Sequence, residues 1–178
     1  KGNLLIVFDV FTDLGVQDSK NIKNDQQISL LAQKIRATQG VVYDVVAIGN
    51  EAYNRLHTKM KTVNLVLAWG HARVIENLLG KSLQMVPPPV KAISDQFAGT
   101  AATVERALMK LGRALPLVQM HKAESDLVVA AASILARDEF VRRLRKMGDQ
   151  YQFTFPKGAV QVIGAGKEFV SKHGKEAL

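Results

Sequence analysis

Apolar segments of two different periods alternate along this chain, and that alternation limits its fold more than any other feature. The run Leu4-Leu5-Ile6-Val7-Phe8-Asp9-Val10-Phe11 is continuous and rich in β-branched residues, as a buried strand is. After the polar Asp18-Ser19-Lys20, either Asn24 or Asp25 can cap a helix that carries Ile28, Leu31, Ala32 and Ile35 at helical spacing and is closed by Gly40. Residues 41–48 read as a second strand, and Gly49-Asn50 opens a short helix. A long amphipathic helix over 63–79 passes through Trp69 and His71 and stops at Gly80. Pro87-Pro88-Pro89 cannot lie inside a helix and marks a loop. Beyond it the pattern predicts a strand over 90–97 with Asp95 at its end, a helix over 100–111, a strand over 115–119, a long helix over 125–147 and a last helix over about 161–173. Strands interleaved with helices define an α/β class with a mixed, partly parallel sheet flanked by helices. No linker or shift in composition divides the chain, so a single domain over 1–178 is expected.

Charge and composition narrow the function. With 24 Lys plus Arg against 16 Asp plus Glu the formal net charge is +8, which favours a polyanionic partner. There is no Cys, so disulfides and thiolate metal sites are excluded. No apolar run approaches the ~20 residues that cross a bilayer, and no signal peptide opens the chain. The expectation is a cytoplasmic protein without a membrane partner. The four histidines are too scattered for zinc, and His71 reads as structural. Gly164-Ala165-Gly166-Lys167 lacks the Walker spacing and a following Ser or Thr, and no serine has a nucleophile-elbow context. Kinase, ATPase and esterase chemistry are set aside on these grounds.

Two carboxylates stand out by address. Asp95 ends a predicted strand, and Glu124 lies between the 115–119 strand and the long helix, where ligands of α/β sheets gather. Carboxylate oxygens suit Mg²⁺ or Mn²⁺, which take one or two carboxylates together with phosphate oxygens and water. The plainer reading makes Asp95 a turn residue and Glu124 a complement to a helix N-terminus. The small-residue run Val128-Val129-Ala130-Ala131-Ala132-Ser133-Ile134 reads as close helix packing, and Arg137, Arg142, Arg143, Arg145 and Lys146 add to a basic footprint.

Several motifs, in order, resemble the ribonuclease HII/HIII family. They are Leu14-Gly15-Val16-Gln17-Asp18-Ser19-Lys20, Tyr53-Asn54, Leu67-Ala68-Trp69-Gly70-His71-Ala72-Arg73-Val74-Ile75, Ser94-Asp95-Gln96-Phe97, His121-Lys122-Ala123-Glu124, Val129 through Arg137, and Phe155-Pro156-Lys157-Gly158-Ala159. The Asp-Gln-Phe and Lys-Ala-Glu forms are similar to those of its HIII branch. The resemblance implies a ribonuclease H-like fold that cuts the RNA strand of an RNA–DNA hybrid duplex endonucleolytically, leaving 5′-phosphate and 3′-hydroxyl ends. It implies Mg²⁺ or Mn²⁺ held by carboxylates in the order Asp, Glu, Asp, Glu, of which Asp95 matches the third and Glu124 the fourth. Substrate contacts carried over are Lys1, Gly2, Ser19, Lys20 and Lys122, and a monomer is expected. The family's opening Asp-Glu-x-Gly does not occur in the 178 residues. Lys1-Gly2-Asn3 matches the tail of such a motif, so the pair is expected upstream and the 178 residues alone are expected to be inactive or severely impaired; the alternative is Asp9, the one acid in the first predicted strand, as a substitute. The N-terminal substrate-binding domain of the HIII branch is expected to be absent. Two alternatives stay open: a hybrid-binding module without nuclease activity, and an unrelated basic α/β protein that binds RNA.

Overall fold

In the computed structural model, which describes residues 10–100 and 102–177, the alternation becomes a series of helices and one short parallel strand pair among the described residues. The elements are α1 (Asp25–Ala37), α2 (Asn50–Met60), α3 (Val63–Gly80), β1 (Ala92–Asp95), α4 (Ala102–Ala107), β2 (Leu117–Met120), α5 (Leu127–Tyr151) and α6 (Ala159–His173). Of the two candidate caps for α1, Asn24 takes the role, its side-chain oxygen accepting the Gln26 N–H at 2.8 Å. Thr62 caps α3 in the same way through Leu65 N–H, and Asp126 caps α5 by accepting from Val128 and Val129. No helix among the described residues is long and apolar enough to cross a membrane.

The chain divides into two compact units, Lys1–Asp138 and Glu139–Leu178. In the first, Ile28, Leu31, Ala32 and Ile35 of α1 meet Ala130, Ala131, Ile134 and Leu135 of α5, with Phe11, Val16 and Ile22 completing the cluster. Ala130 is fully buried, so the small-residue run lets α1 approach α5 closely, as its composition suggested. Burying an Ile side chain is worth about 1.5–3 kcal/mol. An exposed pair such as Arg55–Glu51 is worth roughly 0–1 kcal/mol. Apolar packing, not surface charge, therefore holds α1 in place. Asp138, buried on α5, is satisfied from α1 by Ser29 Oγ at 2.6 Å and Arg36 at 2.7 Å.

In the second unit the aromatic side chains of Tyr151, Phe153, Phe155, Phe169 and His173 pack ring against ring, with Phe169 only 2% exposed. Gly148 is required there. A Cβ at that position would stand 2.9 Å from the Phe153 carbonyl oxygen, whereas the existing backbone donates from Phe153 N–H to Gly148 O at 3.0 Å.

Four expectations need correction. The strand expected over 4–11 falls mostly outside the described residues, but residues 10–13 form a turn of helix, closed by Gly15 at φ 71. Phe11 thereby enters the core. Residues 41–48 join no strand ladder among the described residues. They are tied instead by Lys81, whose ammonium donates to Tyr43 O and to Asp44, while Asn77 donates to the same Asp44 carboxylate. The helix expected over 100–111 shrinks to α4 because side chains capture the backbone beyond it. Glu76 accepts from the N–H groups of Leu111 and Gly112 at 2.9 and 3.0 Å, and Arg113 Nε donates to Leu108 O. Finally, α5 begins at Leu127 rather than 125 and runs on to Tyr151, because Ala123–Ser125 is a separate 3-10 turn.

Candidate metal centre and nucleic-acid loop

β1 and β2 run parallel in the register Ala92↔Leu117 to Asp95↔Met120, so both strands end at the same edge. Their crossover is built from α4 and the turn Gly112–Ala114, as a parallel pair requires. Asp95 is the last residue of β1. Beyond β2 the backbone passes through Lys122 in the left-handed region, at φ 55, and this reversal lays the turn Ala123–Ser125 across the strand end. There Asp95 Oδ1 accepts the Ala123 N–H at 3.3 Å. Glu124 is the next residue. Two carboxylates far apart in sequence are thus delivered to one sheet edge.

The polar Asp18-Ser19-Lys20 stretch reaches the same edge. Asp18 caps the 3-10 turn Ser19–Asn21 by accepting the Lys20 N–H at 3.0 Å. Ser19 is buried, and its N–H donates to Ser133 Oγ of α5 at 3.3 Å. Arg137, one turn further along α5, donates from Nη1 to the carbonyls of both Ser19 and Ile22, and its Nη2 reaches Asp25 at 3.4 Å. The backbone of this loop is therefore pinned at both ends. The Lys20 side chain, 77% exposed, crosses to Glu124, with Nζ 3.4 Å from Oε1.

The electrostatics follow from this placement. The charges of Asp18, then Glu124, and more weakly Asp95 raise the Lys20 pKa above its ordinary value. Glu124 is held below the usual carboxylate range, first by a hydrogen bond from its own backbone N–H and then, against partial desolvation, by the Lys20 ammonium. It stays ionised at neutral pH and is suited to a hard cation. Among the described residues no three His, Cys, Asp or Glu side chains come together to hold a metal ion. The donors present, two carboxylates, have the right chemistry for Mg²⁺ or Mn²⁺ and make up part of an oxygen-ligand set.

Behind the sheet edge, Ser94 is buried with its Oγ 3.0 Å from His71 Nδ1, and the His71 ring lies 4.9 Å from that of Phe97. The structural reading of His71 thus gains a specific partner. Burial lowers the His71 pKa, while the nearby Asp95 carboxylate works in the opposite direction. Protons are therefore bound more readily by the unfolded chain. The neutral imidazole contributes stability above the unfolded value of about 6.5, and that contribution is lost as pH falls through the lower folded value. We expect urea unfolding measured from about pH 7.5 down to about pH 5 to show a steeper loss of stability for the wild type than for His71→Gln.

Of the residues expected at the site, Asp95, Glu124, Ser19 and Lys20 lie together, and Lys122 is the exposed residue that begins the Glu124 turn. Lys1, Gly2 and Asp9 lie outside the described residues. Arg137, read from the sequence as part of a basic footprint, instead directs its guanidinium at loop carbonyls. Asp18 joins the site as the cap of the Ser19–Asn21 turn, and its sequence signal is an Asp immediately before a polar turn, as in an Asx cap.

The model of the family described as Ribonuclease HII matches residues 7–163. The chain is 48% identical over 164 residues to Ribonuclease HIII of Chlamydia pneumoniae, covering 92% of this chain and 53% of that protein. It is 42% identical over 167 residues to Ribonuclease HIII of Chlamydia abortus, covering 92% and 52%. The chain thus spans about half the length of the curated relatives it matches. Among solved structures, that of Bst-RNase HIII in complex with Mn²⁺ superposes with a TM-score of 0.78 at 26% identity, over 96% of this chain and 55% of that one. The ribonuclease HII of the PCNA complex from Archaeoglobus fulgidus has a TM-score of 0.71 at 24% identity, over 96% of this chain and 79% of that one, and speaks for the fold alone.

Proposed function

The chain belongs to the ribonuclease HII family, and from that premise we propose that it hydrolyses the RNA strand of RNA–DNA hybrid duplexes endonucleolytically, leaving 5′-phosphate and 3′-hydroxyl ends. The observation that carries this reading is the convergence of Asp95 and Glu124 at the ends of parallel β1 and β2, beside a loop that presents Lys20.

In this reading Asp95 and Glu124 hold Mg²⁺ or Mn²⁺. A divalent ion held by them would supply Lewis-acid charge toward a phosphate and its attacking water. The remaining tasks fall to the chain. The Ala123 N–H fixes the Asp95 carboxylate, and the left-handed Lys122 backbone turns Glu124 back to the strand end. Lys20 and Lys122 meet backbone phosphates, a contact that positions the duplex without reading its sequence. Ser19, whose own N–H is held by Ser133, shapes the loop from which Lys20 extends. Lys1 and Gly2 complete the substrate contacts. Discrimination of RNA from DNA falls to the 2′-hydroxyls displayed in the wide minor groove of an A-like duplex. We place residues 1–178 together as one catalytic domain, acting as a monomer in the cytoplasm.

The test is incubation of the purified intact protein, with the residues encoded upstream of Lys1 included, with an end-labelled RNA–DNA hybrid in Mg²⁺ and, separately, in Mn²⁺. Internal cuts confined to the RNA strand and bearing 5′-phosphates are expected. Retention of the hybrid on the protein without any cut would favour a second reading, a hybrid-binding module.

A further inference from the structure

Lys20 is a surface side chain with an unusually fixed root. Its own N–H is held by Asp18, the preceding residue is tied to Ser133 and Arg137, and Ile22 is tied to Arg137 as well. From this root the ammonium reaches the carboxylate of Glu124, 3.4 Å away, with Asp18 and Asp95 close enough to act on its charge. The contact itself is weak. A single exposed ion pair contributes roughly 0–1 kcal/mol and is readily exchanged.

A lysine so placed addresses the same oxygens that the proposed reading gives to a divalent cation. Two cations on one carboxylate repel each other, so each must weaken the other's hold on Glu124. We infer that Lys20 is an exchangeable counter-ion: it competes with the divalent cation for Glu124, and binding of that cation releases its ammonium to a phosphate of the nucleic acid. The inference deepens the proposed function and rests on Glu124 being a metal ligand. It also gives the pinned loop a purpose, because an ammonium that must trade a carboxylate for a phosphate at the same sheet edge needs a root that stays put while its four-carbon stem swings.

The test reads metal affinity rather than turnover. Mn²⁺ is titrated into the intact protein, with the residues encoded upstream of Lys1 included, without nucleic acid, free Mn²⁺ being followed by electron paramagnetic resonance at low ionic strength. The chains compared are wild type, Lys20→Met, Glu124→Gln, the double variant and Lys23→Met as a control for net charge. Lys20→Met should bind Mn²⁺ about fivefold more tightly than wild type, the scale on which a unit charge at this separation acts through watery surroundings. That gain should shrink in the Glu124→Gln background and be small in Lys23→Met. With Lys20 largely exposed, its substitution leaves the core untouched. If Glu124→Gln weakens Mn²⁺ binding but Lys20→Met matches or falls below wild type, the counter-ion inference is overturned and the metal-site reading stands. An equal gain in Lys23→Met would also overturn it, since net charge would then suffice. If Glu124→Gln binds Mn²⁺ as wild type does, or wild type binds none, the metal-site reading fails and takes the inference with it.

Discussion

Asp95→Asn is expected to abolish hybrid cleavage while leaving the fold nearly intact. The two halves of that expectation have separate causes. Asparagine keeps an oxygen where Asp95 Oδ1 accepts the Ala123 N–H, so the link between the end of β1 and the Ala123–Ser125 turn survives the change. What is lost is the negative charge at the position where a cation would be held. Partners one step removed from a metal cost about 10- to 100-fold when lost, so loss of a ligand should exceed that range. The measurement pairs turnover on a labelled hybrid in Mg²⁺ and in Mn²⁺ with a thermal unfolding curve. Near-wild-type turnover in either ion would remove Asp95 from the metal site. A large fall in melting temperature would instead assign it a structural role.

Arg137→Met should have the second-largest effect, this time on stability and on the order of the 18–22 loop. One guanidinium nitrogen serves the carbonyls of both Ser19 and Ile22, two buried residues, and the other reaches Asp25. Methionine fills the stem's volume but donates nothing. The Ser19 carbonyl keeps the Ile22 N–H as a donor, so Ile22 O is the acceptor that loses most. At about 1–3 kcal/mol for a buried group that loses its hydrogen bond, a cost of about 1–3 kcal/mol is expected. In a chain of this size that corresponds to a fall in melting temperature of roughly 2–12 °C. Arg137→Lys should recover little, since a single ammonium cannot reproduce the planar fork. Amide hydrogen exchange supplies the local check. The Ser19 and Lys20 amides, bonded to Ser133 and Asp18, should exchange faster in Arg137→Met than in wild type.

The place of Asp95 was legible because its signal is local: a carboxylate that closes a run of strand character lies at a strand end whatever the strand pairs with, whereas Glu124 is returned to that end by the Lys122 turn. The helices were legible for a similar reason, since Asn24 and Thr62 announce their starts and apolar spacing shows which face is buried. The lost strand over 41–48 marks the limit of that method. Apolar β-branched composition states a preference, but a strand exists only where a neighbour offers a ladder. The truncation of α4 has a different origin, a carboxylate on α3 that takes two backbone N–H groups from a segment distant in sequence. Arg137 is the instructive miss. Its contacts with Ser19 and Ile22 join residues more than a hundred positions apart, and such a contact leaves no period behind it. In the sequence it was one cation in a basic run.

The placement of α5 carries a mechanical consequence. Its cap, Asp126, stands two residues after Glu124, while Ser133 and Arg137 of the same helix grip the loop that bears Lys20. At about 1.5 Å of rise per residue, the stretch from cap to guanidinium is a stiff rod of fixed length and fixed twist. A drift of the whole rod carries the acidic turn and the basic loop along together, so their mutual distance is insensitive to slow breathing of the surrounding layers. One residue inserted between Asp126 and Ser133 is a different matter. It would swing the grip about 100° around the axis and break the alignment at a stroke. Length variation is therefore barred from the first turns of α5, while the proline loop over 85–91, which anchors neither end of the device, is free to vary.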